Sequence, residues 1–171
     1  MLTTMASCDA GGAGSVDTNG PLERGTTRNT LCMSTTTGST VTFAGEVLRN
    51  TGKGDVVIDD VKLVSAQGLR LTHSLLVPAD GNLIGFDTHY PPAKENLNQS
   101  GLKWPQRRSA IHATIHPQKG SVVQNLVAAI NVAGTSSPKM SGIAVDYHAG
   151  SHAYRWLNTI KLIVRIKPEK C

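Results

Sequence analysis

The chain is short of aromatic residues, charges and long apolar runs. Aromatics make up 4% of its 171 residues and charged residues 17%, where an average soluble domain carries about 25% charge. No apolar run reaches the ~18 residues that a membrane-spanning helix needs. The most apolar stretch, residues 126–133, is short and is broken by Asn131. No segment sustains a long amphipathic helical period, which argues against α/β folds built on a parallel sheet. Signatures of covalent catalysis are missing as well: there is no Gly-x-Ser-x-Gly. Gly52-Lys53-Gly54 lacks the upstream glycine spacing and the following Ser or Thr of a phosphate loop. No reaction, substrate or cofactor is legible, and no cofactor is expected.

The net charge is +5 and the pI about 9.3. The 17 Lys and Arg are scattered, with Arg107-Arg108 the one adjacent pair. Nucleic-acid binders cluster their cations and interleave stacking aromatics. Neither pattern is present, so the expectation is a mildly basic, solvated surface and no nucleic-acid partner.

What the chain does have is period-two alternation. In residues 40–47, Val41, Phe43 and Val47 share one face, with Thr42 and Glu46 on the other. In 69–77, Leu69, Leu71, Leu75 and Val77 oppose Arg70, Thr72 and Ser74, which puts His73 on the apolar side as a core or rim histidine. Residues 56–64, 82–87, 109–116, 122–132, 142–147, 152–157 and 159–166 also read as strands. In 122–132, Leu126, Ala129 and Ile130 fit helical spacing too, but the valines and the stop at Gly134 favour a strand. Gly, Asn and Pro clusters punctuate the segments at the intervals of a sandwich or barrel. The expectation is an all-β, antiparallel two-sheet sandwich of about eight to nine strands, in which 40–171 is the domain. The pattern resembles, in style, the immunoglobulin-like sandwiches of bacterial envelope proteins, without a Cys-Trp-Cys core signature.

The amino end carries a second resemblance. Met5-Ala6-Ser7-Cys8 is similar to a bacterial lipobox, with Met5 where Leu is usual. That resemblance implies lipidation of Cys8. It also implies a hydrophobic leader upstream of Met1, because no basic and hydrophobic regions precede Cys8. From Asp9 to Ser39, 16 of 31 residues are Gly, Ser or Thr. Such a composition reads as a flexible tether over 1–39. The resemblance therefore implies an envelope lipoprotein on the extracellular side of a bacterial cell membrane, touching that membrane through its lipid alone. Cys32 and Cys171 would then be left to pair and pin both ends of the domain. The alternative is two free thiols in a reducing cytosol.

Candidate chemistry is sparse. His112 and His116 on one strand would stand about 13 Å apart, too far to share an ion. Asp59 and Asp60, adjacent on a strand, should point to opposite faces. His148 and His152 flank the 149–151 turn, with Asp146 on the side of His148, and could face each other across a hairpin. The strongest binding candidate is the aperiodic 87–108 segment, because long connections are often functional. Tyr90, Trp104, Arg107 and Arg108 are its candidate ligand-binding residues, since aromatics beside cations stack on sugars or hold anionic polymers and protein partners. The alternative is a crossover whose Trp104 plugs the core edge. Three readings follow: a non-catalytic envelope domain binding a protein or cell-wall component; a small hydrolase or metal-dependent enzyme near His148 and His152; and a structural envelope subunit assembling through strand edges.

Overall fold

The computed structural model describes residues 16–25 and 29–171. Cys8 and the lipobox-like run before it lie outside the described residues. In chain order the elements are β1 (Thr30–Thr35), β2 (Thr40–Leu48), β3 (Val56–Val64), β4 (Leu69–Ala79), β5 (Gly85–Asp87), α1 (Lys94–Gln99), a 3₁₀ turn (Trp104–Gln106), β6 (Arg108–Ser109), β7 (Thr114–Ile115), β8 (Val123–Val132), β9 (Lys139–Met140), β10 (Gly142–Ala149), β11 (His152–Leu157) and β12 (Lys161–Ile166). Among the described residues no helix is long and apolar enough to cross a membrane.

The expected all-β sandwich is the observed architecture. One sheet runs β5-β2-β8-β4-β6, a second runs β11-β10-β3-β7, and a third runs β1-β12-β9. A single core joins all three. Val41, Phe43, Leu126, Ile130 and Leu76 from the first sheet meet Val56, Ile58, Ile143 and Tyr147 from the second and Leu162 and Val164 from the third. The strands number twelve among the described residues rather than eight or nine. The extra ones are the six-residue β1, inside the segment whose composition reads as a tether, the two-residue β9, and the division of the expected 109–116 strand into β6 and β7. Among these strands the pairing is antiparallel except between β1 and β12, which run parallel from Thr30↔Lys161 to Thr35↔Ile166, and an isolated parallel bridge joins Asp17 to Tyr154.

That parallel pair corrects the domain boundary. β1 lies inside the segment whose composition reads as a tether, and it carries the buried Met33. Further upstream, Leu22 is 3% exposed in the core and Trp156 Nε1 donates to the Glu23 carbonyl at 2.7 Å. Gly20 packs so closely on the stacked Tyr147 and Tyr154 rings that a Cβ there would collide with the Tyr147 hydroxyl. The body of the domain therefore begins before Thr40. Composition alone cannot register two or three apolar residues meeting partners more than a hundred positions away. Cys32 sits within β1, not ahead of the first strand, and is bridged to Cys171 with a Cα separation of 5.7 Å.

Three bulges redirect the alternation. In β4 the register skips Thr72 between Leu71 and His73. Beyond it Leu76 faces the main core, while Leu75 and Val77 face the other side of the sheet. The sequence expectation that Leu69, Leu71, Leu75 and Val77 share one face fails at this point, because one unpaired residue reverses every later side chain. In β2 the bulge lies between Phe43 and Glu46. The Asn125 side chain repairs it, donating to the Ala44 carbonyl at 3.0 Å and the Glu46 carbonyl at 2.6 Å. In β3 the bulge lies at Asp59-Asp60.

β8 is buried on both faces, which explains its near-continuous apolar run. Its second face belongs to a smaller core of Ala44, Val77, Ala79, Val127 and Leu102, onto which Leu97 and Trp104 also pack. The long connection after β5 forms this layer.

Candidate functional site

The connection after β5 is organised by one carboxylate. Asp87 is 5% exposed and its oxygens accept from the His89 N–H at 2.9 Å, the Ala93 N–H at 2.8 Å and Asn96 Nδ2 at 2.7 Å. His89 Nδ1 lies 3.3 Å from it. Burial pushes this carboxyl up, but the donors from Asn96, Ala93 and His89 outweigh burial and hold it below the usual carboxylate range. Thr42 Oγ1 adds a 2.6 Å bond to the His89 carbonyl, tying the loop to β2. A segment without sequence periodicity is thereby fixed in one shape.

That shape sets four side chains in a row. Because of the β4 bulge, His73 is exposed on the outer side of the sheet and stacks on Tyr90, with ring centroids 5.7 Å apart and planes 12° apart. Burial pushes the Tyr90 phenol up, and the positive Arg107 opposes that shift. Arg107 in turn lies over the Trp104 ring, 5.1 Å from its centroid, and its Nη1 donates to the Trp104 carbonyl at 3.2 Å. Trp104 rests half-buried on the smaller core, so it is at once a plug and a platform. Of the four predicted residues, the structure thus groups Tyr90, Trp104 and Arg107 and adds His73. Sequence reading placed His73 in the core or at its rim because the bulge was invisible.

Arg108 stands apart. It pairs with Leu76 as part of β6, and its Nη2 donates to the Thr114 carbonyl at 3.2 Å. The expected strand over 109–116 is two short strands in different sheets, joined by a turn in which His112 takes φ of +63°. The strand spacing that separated His112 from His116 therefore does not apply, and both line one cavity with Arg108.

The proposed pairing of His148 and His152 does not form. Their hairpin register sets His148 opposite Ala153 and His152 opposite Ala149. Successive residues alternate, so the two rings project from opposite faces of the sheet. His148 Nδ1 instead meets Asp59 at 2.8 Å. Asp146 is held by Arg155 through two bonds of 2.5 and 2.9 Å and by Lys62 at 3.1 Å. The Arg155 guanidinium, ahead of Lys62, keeps the Asp146 carboxyl below its usual range against the effect of burial. Asp60 also bonds Lys62, at 2.8 Å. The β3 bulge thus turns Asp59 and Asp60 to the same outer surface, contrary to the alternation expected of neighbours. The result is a strip of paired charges. Among the described residues no cluster of three or more His, Cys, Asp or Glu is placed to hold a metal.

Comparisons with known proteins add little. No protein-family model and no curated protein matches the chain. A solved ASH / PapD-like domain of human CEP192 (PapD-like domain 7) aligns with 11% identity over 99% of both chains, at a TM-score of 0.42.

Proposed function

We propose that this chain is a non-catalytic binding domain on the extracellular side of a bacterial cell membrane, anchored through a lipid on Cys8. It holds a protein or cell-wall component through the row His73–Tyr90–Arg107–Trp104. That row carries the reading: the His73 ring on β4 stacks on Tyr90 of the connection that Asp87 organises, and in the same connection the Arg107 guanidinium lies over the Trp104 indole. Aromatic faces take up the apolar faces of sugar rings or peptide side chains, and the guanidinium selects an anionic group among them. A rigid loop loses little entropy on binding, which favours affinity without a deep pocket. The Cys32–Cys171 bridge supports an exported setting, because such bonds persist in oxidising compartments.

The test is co-sedimentation with purified cell wall, alongside tryptophan fluorescence. Trp156 is 2% exposed, so quenching on binding reports Trp104. Retention of the native protein and its loss in Trp104→Ala and Arg107→Gln are the expected results. Equal retention of all three would remove the row from the function. Intact mass of the protein expressed with its native upstream sequence tests the anchor, through a diacylglyceryl adduct on Cys8.

A further inference from the structure

Where the chain crosses from β6 in the five-stranded sheet to β7 in the four-stranded sheet, the rim of the sandwich carries an open cavity of about 640 Å³. That volume suits a small ligand. The charged part of its wall is Arg108, His112, His116 and Lys119, and no carboxylate appears among the described residues of the wall. Arg108 lies in β6, before the crossing, and Lys119 in the connection that follows β7.

Arg108 and His116 are held by side-chain hydrogen bonds. Arg108 is anchored through Nη2 to the Thr114 carbonyl at 3.2 Å, and among the described residues its other N–H groups have no partner. His116 directs Nδ1 to Asp55 at 2.9 Å, so Nε2 is the nitrogen left for a ligand. His112 sits in the left-handed region at φ +63°, with its N–H fixed to the Ile58 carbonyl at 2.8 Å. A non-glycine residue held there is a locally unfavourable conformation, of the sort that gathers at binding sites. The wall also includes Gln118 and Gln124, whose side-chain oxygens are buried without a hydrogen-bond partner.

We infer that this cavity binds an oxyanion, a phosphate or sulfate group, carried as an ester on a hydroxylated molecule such as a sugar. The Arg108 guanidinium and Lys119 ammonium neutralise the anion, the first through its planar fork and the second as a point charge. The two imidazoles add donors, and the Gln118 and Gln124 side chains in the same wall offer amide groups that can turn to the carrier's hydroxyls. This site is separate from the His73–Trp104 row and does not depend on it.

The experiment is a titration of the folded protein with glucose 6-phosphate, inorganic phosphate and glucose at constant ionic strength, followed by amide chemical shifts. Saturable shifts confined to residues 108–124 are expected for the two phosphates, with glucose 6-phosphate the tighter. The double variant R108Q/K119Q should weaken both about tenfold or more, while Lys139→Gln on β9 should bind as the native protein does. Equal affinity for the two phosphates would overturn the ester carrier. Non-saturable shifts, or unchanged binding in a folded R108Q/K119Q, would overturn the site itself.

Discussion

Asp87 and Glu46 lie on neighbouring strands of one sheet and are each 5% exposed, yet they occupy opposite situations. Asp87 is ringed by donors that the following loop brings to it, and its carboxyl is held below the usual range. Glu46 sits just past the β2 bulge with Oε1 buried and unpaired. Burial alone acts on it and its pKa is pushed up to about 7. The two regions teach that equal burial does not fix the protonation of a carboxylate; the balance between burial and the supply of donors does. At Asp87 a folded loop supplies them, and at Glu46 the Asn125 amide is spent on the bulge carbonyls.

The comparison breaks most directly at its strong side. Asp87→Ala would leave the Ala93 N–H and the Asn96 amide without their acceptor, and should cost roughly 3 kcal/mol or more in denaturant unfolding. Limited proteolysis should then cut within residues 88–107 first. A loop that stays protected in this variant would show that Asp87 does not organise it.

pH separates the two groups by sign. The raised Glu46 pKa means that its contribution to stability is complete below 4.5, its ordinary value, and is lost as pH climbs to about 7. The loss is on the order of 3 kcal/mol. Asp87 runs the other way: its contribution is complete above the ordinary carboxylate range and drains as the pH falls below that range. In chemical denaturation from pH 4 to 8, Glu46→Gln should flatten the decline seen in the native protein and be the more stable at pH 8. A slope identical in both proteins would assign the titration to another group.

Asn125→Ala sharpens the account of the bulge. Two buried carbonyls would lose their donor, for about 2 kcal/mol in thermal or denaturant unfolding. The smallest effect belongs to the charged strip on the outer surface of β3, β10 and β11. Arg155→Gln should cost under about 1 kcal/mol, because the pair is open to solvent and screened by salt. A larger, salt-insensitive loss would mean that the strip supports the fold.

The sequence by itself determined the class of fold. Alternation in β12, and in the other strands up to their bulges, needs only the pleat, since residues two apart share a face where no bulge intervenes. The double-sided burial of β8 was legible for the same reason, as a run with no polar side. That the chain leaves the regular strand pattern within 87–108 was legible from the length of that segment and its lack of period. Tertiary structure alone decided the faces beyond each bulge. A single unpaired residue moves His73 from the core or its rim to the stack on Tyr90 and turns Asp59 and Asp60 the same way, and nothing local announces it. Tertiary structure also decided that Arg107 and Arg108 part company, one over Trp104 and one beside His112 and His116. Adjacent residues at the mouth of a crossover reach different neighbours, and which groups meet there is set by pairing across the sandwich, to which local sequence patterns are blind.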